Sequence, residues 1–449
     1  MPGSVGPDAF RRAAEAALEL SGVDGVEVLS MHEWGGLTRF AKSEIHQSIA
    51  REDTDIRVRV VTKDRIGVAS TNDLTPEGAA KAARSAKEMA EVVAPDPHWP
   101  GLAPPSEVPQ VDRFHESTAS STPEQRASAV AELIRACPPG ATAAGAFEAQ
   151  AMEIGVANTA GQFCFAPFTQ ASLTTVISGD DGGSGFAERF SGDVNDLDPE
   201  SVGARAASKA TRSQRPTELD PGTYVVVLEP SATVTLIGFL MAVGFGGRDY
   251  LEGRSCLSGK AGEQVAAAGV SISDDPIDPR TVGAPFDFEG VPHRRVDLIK
   301  EGVFLDAVYD RRTGLEAGRE STGNALPAPN PDGPYPLHLS MAPGDATLED
   351  MIAATERGVL VTRFHYSNVV NPVESSITGM TRDGTFLIEH GEIAQPVLNF
   401  RFTQSILGAL STTTMIGSEP ELASEFFFSS SRVPAIKVEE FHFSGRSDH

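Results

Sequence analysis

Two histidine–glutamate pairs, His32-Glu33 and His115-Glu116, begin the way a zinc-binding His-Glu-x-x-His helix begins. That pattern works because two histidines one turn apart share a helix face and hold the metal through neutral imidazole, while the glutamate serves as general base. Here the residues run HEWGG and HESTA, and no second histidine follows at the required distance. Both pairs are expected at the surface rather than at a metal. The chain also lacks the GxSxG nucleophile elbow, the GxGxxG dinucleotide turn and the GxxxxGK[ST] phosphate loop. The acid-rich stretches SDDPIDP and SGDDGGSG do not keep the alternating ligand spacing of a calcium loop and read as turns.

Four further histidines, His293, His338, His365 and His390, each stand alone beside expected strands or turns. Ordinary hydrogen-bonded roles are the expectation, although several of them could converge in space on a metal site of another design. The segment STGNA, residues 321–325, is a glycine-punctuated loop in which Ser321, Thr322 and Asn324 can bind the backbone of a peptide or cap a turn. Both readings stay open.

The elements that must position these residues fall into two textures. NDLTPEGAAKAARSA (72–86) and NDLDPESVGARAASKA (195–210) share a capping residue, a proline at the first helical position, a first-turn glutamate and an alanine-rich body. A helix and several alternating, strand-like runs precede each copy. Residues 1–218 therefore read as an N-terminal domain of two related helix-strands-helix halves, about 1–95 and 115–218. The proline-rich VAPDPHWPGLAPPSEVPQ joins them. Residues 219–449 read as a mostly antiparallel β domain: TYVVVLEP suggests a buried strand, VDLIKEGVFLDAVYD a hairpin, and the Asp-Gly and His-Gly of TRDGTFLIEHGEI two hairpin turns. Helices are expected at LIGFLMAVGFGG (236–247) and TLEDMIAATERG. The fold class is α+β.

The net charge of −25, from 62 acidic and 37 basic residues, opposes the phosphate neutralisation that nucleic-acid binding needs, so no nucleic-acid partner is expected. Cys137, Cys164 and Cys256 form no CxxC pair, and the N-terminus lacks an apolar leader, which together point to the cytoplasm. The apolar run at 236–247 is bounded by Glu229, Pro230 and Arg248 and falls short of the roughly 20 residues a membrane span requires. A buried helix, with no membrane partner, is the expectation.

PFDFEGVPHRRVDLIKEGVFLDAVYDRRTG, then STGNA, then SSITGMTRDGTFLIEHGEIAQPV, together with the earlier DIRVRV to GVASTND, resembles the TldD/PmbA (TldD/TldE) family of zinc-dependent peptidases and their partner subunits. In the TldD branch the resemblance implies a HExxxH helix at the place of ATVTLIGFLMAVGFGG, with a further cysteine ligand near the C-terminus. This chain has neither histidine nor glutamate in that helix, and its last cysteine is Cys256, so GSEPELASEFFFSSSRVPAIKVEEFHFSG offers none. It is similar to the TldE/PmbA branch. The resemblance then implies a subunit that binds no cofactor or metal and contributes no catalytic residue. A TldD-like paralogue would be its heterodimer partner, supplying zinc for hydrolysis of unfolded or modified peptides. The alternatives are a non-enzymatic peptide-binding homodimer and a peptidase with an unrecognised metal site using His293 or His365.

Overall fold

The computed structural model describes residues 3–424 and 429–447. The first half builds one six-stranded sheet from two runs of identical element order. Helix α1 (Gly6–Leu18) precedes β1 (Gly25–Ala41), β2 (Glu44–Thr62), β3 (Arg65–Thr71) and α2 (Pro76–Val92). Helix α3 (Pro123–Ile134) precedes β4 (Thr142–Asn158), β5 (Phe163–Ser178), β6 (Ser184–Ser191) and α4 (Pro199–Arg212). The strands lie in the order β3-β2-β1-β4-β5-β6, antiparallel throughout, so the two runs meet back to back at β1 and β4.

The matching helix starts are built alike. Thr75 accepts the Gly78 N–H at 3.1 Å and Asp198 accepts the Ser201 N–H at 3.1 Å, each satisfying a first-turn donor ahead of a proline that needs none. The alanine faces of α2 and α4 then sit almost in backbone contact with the outer strands. A Cβ on Gly67 would lie 1.9 Å from the Ala86 carbonyl oxygen, and one on Gly185 would lie 2.2 Å from that of Ala206. Gly185→Ala should therefore lower stability by about 2 kcal/mol, because the helix must lift off its strand. Thermal unfolding checks this, and an unchanged midpoint would contradict the packing.

Two features of this half differ from the sequence expectation. The strand-like LTRFAKSEIHQSIA folds back on itself at Lys42-Ser43, where φ is +53° and +60°, and Lys63-Asp64 turns in the same way between β2 and β3. Such two-residue hairpin turns usually announce themselves with glycine or asparagine. His32 is no surface residue either. At 2 % exposure its Nδ1 pairs with Thr54 Oγ1 at 2.8 Å and its Nε2 with the Gly3 carbonyl at 2.6 Å. His115 is half-buried, 3.6 Å from Asp193.

In the second half, β7 (Gly222–Leu228), β8 (Arg357–Asn371), β9 (Ser376–Glu389), β10 (Phe400–Ser405) and β11 (Ile436–Arg446) pair in the closed cycle β8-β7-β11-β10-β9-β8. Only β7 and β8 run parallel within this barrel. A second six-stranded sheet of short strands lies alongside, ending at Glu421–Ala423. The Glu301-Gly302 and His390-Gly391 turns form as expected. Asp383-Gly384 does not: it sits inside β9, opposite a register shift in β8, so its positive φ values serve a bulge rather than a hairpin.

Helix α5 (Pro230–Val243) fills the space between the barrel and the short-stranded sheet. Leu236, Ile237 and Leu240 are fully buried there, in one cluster with Val226, Leu339 and Val433. Among the described residues no helix is long and apolar enough to cross a membrane.

Candidate substrate cleft

The helices of the first half cover one face of its sheet. Because side chains alternate along a strand, the opposite face of β4 and β5 presents Met152, Ile154 and Phe168. These meet Phe286 and Phe288 from the second half and help enclose a cavity of about 560 Å³ between the two halves. Its polar wall combines Glu33, Glu148 and Glu188 with Arg51, Arg189 and neutral groups such as Gln170. Burial raises the pKa of Glu148, and the neighbouring Glu33 charge adds to the rise. Burial also raises Glu188, against the Ser231 hydroxyl that donates to it at 2.6 Å.

The second half contributes His293, Asn324, His338 and Asp287 to the same wall. Asp287 accepts backbone N–H groups from Glu289, Val291 and Ala325, each at 2.9 Å, yet its burial keeps its pKa well above the usual carboxylate value. Asn324 donates to Asp274 at 2.6 Å, and Asp274 in turn accepts the His338 N–H at 2.9 Å. Burial pushes Asp274 up to about 6.

Of the three loop residues singled out in the sequence, only Asn324 reaches the cavity wall. Thr322 is buried, accepting the Tyr309 N–H at 2.8 Å and lying 2.7 Å from Asn324 Oδ1. Ser321 is 3.1 Å from the Tyr309 carbonyl and accepts the Gly323 N–H at 3.1 Å. These hydroxyls hold the loop that presents Asn324.

His293 and His338, 45 residues apart in sequence, stack edge to face with ring centroids 5.5 Å apart. Among the described residues neither Nδ1 has a hydrogen-bond partner. His293 has a backbone hydrogen bond at Gly323 and His338 one at Val282, the ordinary roles expected, and two loops converging on one wall also bring the rings together. His365 and His390 do not line the cavity, and His390 pairs with Glu356 at 2.6 Å. Burial lowers His293 from the ordinary 6.5 to about 4, with the Arg113 charge adding to the effect, and His338 falls well below its ordinary value for the same reason. The fold thus favours neutral rings: that contribution is complete above about pH 6.5 and is lost as the pH falls toward 4. His293→Gln cannot take up that proton. The variant should retain about 3 kcal/mol that the wild type loses between pH 7 and 4, read as converging urea midpoints. Parallel pH profiles would contradict a buried neutral ring.

A chain with this fold and this interdomain cleft belongs to the PmbA/TldD metallopeptidase family. Residues 221–445 match the PmbA/TldA metallopeptidase C-terminal domain and residues 26–90 match the PmbA/TldA metallopeptidase domain 1. Among its relatives, the chain is 25% identical over 447 residues to Metalloprotease PmbA of Escherichia coli O157:H7, covering 96% of both chains. It is 27% identical over 209 residues to the Metalloprotease TldD homolog of Haemophilus influenzae, covering 45% of this chain and 42% of that one. Among solved structures, TldE from Thermococcus kodakarensis superposes with a TM-score of 0.88 at 23% identity, covering 97% of this chain and 100% of that one. A putative modulator of a DNA gyrase from Thermotoga maritima gives 0.85 at 20% identity, covering 97% and 99%.

Membership raises the question of a metal, and the donor set can be tested directly. A catalytic zinc takes three protein ligands and keeps one position open. Helix α5 carries no histidine, cysteine, aspartate or glutamate, and its side chains lie in the core. The cavity offers two imidazoles; of its carboxylates Glu33 pairs with Arg51, Glu148 accepts from Gln150, Glu188 accepts from Ser231, and the oxygens of Asp287 and nearby Asp274 are engaged by the donors named above. Among the described residues no group of three or more histidine, cysteine, aspartate or glutamate side chains is arranged to hold a metal. The described residues do not fit a catalytic zinc.

Proposed function

We propose that this chain is the metal-free subunit of a two-chain peptidase. It shapes and lines a peptide cleft, while a TldD-like paralogue with a HExxxH helix holds zinc and carries out hydrolysis. The observation that carries this reading is helix α5, where hydrocarbon side chains occupy the core position at which a metal-bearing relative needs imidazole and carboxylate. The cleft supports it too. Apolar walls accept varied side chains, and β6, an edge strand of the first sheet, contributes Glu188, Arg189 and Phe190 to the wall. An extended peptide can add to such an edge through main-chain hydrogen bonds that ignore side-chain identity. The chain's own residues would bind and orient the peptide and exclude water from it. The chemistry zinc supplies when bound in the partner is activation of the attacking water.

Co-expression with the TldD-like paralogue tests the reading. The two chains should co-purify and cut an unfolded peptide that this chain alone leaves intact. Cleavage by this chain alone would overturn it, and peptide binding with neither a complex nor cleavage would identify a binding protein instead.

A further inference from the structure

A second chamber of about 480 Å³ opens off the cleft, sharing Arg189, Phe190 and Val282 with it. In a chain carrying −25 net charge, this chamber gathers Arg113, Arg189, Arg280 and Arg432. Three carboxylates also line it. Glu421 is paired with Arg205 at 3.2 Å, Asp196 accepts the Ser191 hydroxyl at 2.8 Å, and Asp112 lies at the rim. Arg280 is engaged by Asp278 at 2.5 Å.

The other three arginines are different. Arg113 is 3 % exposed, and its guanidinium donates only to neutral acceptors: the Gly283 and Asp278 carbonyls at 3.1 and 2.7 Å and the Thr281 hydroxyl at 3.1 Å. Its Nε is buried with no partner among the described residues. Among the described residues no carboxylate forms an ion pair with Arg113, Arg189 or Arg432. A buried guanidinium with no direct ion pair is costly, and buried charges are ordinarily paired. Burial lowers Arg113 to about 10, against the Asp278 and Asp275 charges, and Arg432 is lowered by burial and by the Arg280 charge, against the Asp278 charge.

We infer that this chamber binds a peptide carboxylate. The inference rests on the peptide-cleft reading and extends it: the arginine chamber opens off the cleft at Arg189 and Phe190 of β6. A peptide lying along it would place its carboxylate among Arg113, Arg189 and Arg432 and its apolar body against Phe168 and Phe286. Guanidinium suits this role because its planar fork matches carboxylate geometry. Two sources offer that group, the C-terminus of the peptide and an acidic side chain.

Three fluorescein-labelled pentapeptides of alanine and leucine distinguish them: a free C-terminal acid, its C-terminal amide, and the amide with glutamate as last residue. Anisotropy is measured with the full-length chain, alone and with its paralogue. The free acid should bind about tenfold more tightly than the amide, as a charge-assisted pair supplies. Arg189→Gln and Arg432→Gln, at less buried positions than Arg113, should each bring that ratio below about threefold, with the circular dichroism spectrum unchanged. If the glutamate amide binds like the acid, side-chain carboxylates are taken as well; if it binds like the plain amide, the site reads the C-terminus. Equal binding of acid and amide to the wild type, or a preference that survives both substitutions, would overturn the chamber's role while leaving the cleft. Failure of all three peptides to bind would overturn the cleft reading, and this inference with it.

Discussion

Arg59→Ala is expected to destabilise the protein by about 4 kcal/mol near pH 8 and by clearly less near pH 5.5. Arg59 joins the halves of the molecule: its guanidinium lies 2.5 Å from Glu27 of the first half and 3.1 Å from Glu289 of the second. All three are largely buried, and the second oxygen of each glutamate has no partner among the described residues. Burial raises Glu27 to about 7, with the Glu289 charge adding to it and Arg59 opposing it. Removing the guanidinium would strand two carboxylates side by side in the interior. The sign of the pH effect follows. A folded pKa above the ordinary 4.5 means that the fold favours the protonated glutamate, so stability falls as pH rises through 4.5 toward 7 and returns on acidification. Without Arg59 the value climbs further, and the loss extends to higher pH. Urea unfolding followed by Trp99 fluorescence reads this directly, since that ring lies 5.0 Å from the guanidinium. A loss that does not change with pH would mean that the glutamates are not stranded.

Leu240→Ala should cost about 4 kcal/mol, at the upper part of the range for buried leucines. The residue is 0 % exposed on α5, hemmed in by the barrel on one side and the short-stranded sheet on the other, and neither can collapse into the vacated space. Circular dichroism across a urea series measures it. A loss below about 1 kcal/mol would place this helix on an open wall, as a metal-bearing helix must be, and would remove the physical basis for reading it as core.

That helix was the most legible feature of the sequence. Its bounding polar residues and its length excluded a membrane span, and its lack of ligand side chains is a fact of composition. The repeated Asn-Asp-Leu helix starts were legible for a similar reason, since capping chemistry is local, and the identical element order around them follows. What could not be read was whatever depends on residues distant in sequence. His293 and His338 meet only because two loops fold onto one wall, and the Arg59 cluster draws on residues 27, 59 and 289. Local signals also failed where backbone strain is absorbed by neighbours. Lys42-Ser43 and Lys63-Asp64 turn at positive φ without glycine, held by the long ladders on either side. Asp383-Gly384 carries a hairpin signature but serves a bulge, because the barrel's closing pair needs a change of register there. In the STGNA loop the sequence identified the right segment but not the division of labour: Asn324 faces the cavity while Ser321 and Thr322 bind back to Tyr309. Residues 425–428 of the C-terminal segment that lacks a cysteine lie outside the described residues.

Elemental analysis of the isolated full-length chain, after exposure to zinc and desalting, bears most directly on the central claim. Well below one zinc per chain is the predicted result, with about one per heterodimer once the paralogue is present. Stoichiometric, tightly held zinc in this chain alone would contradict it.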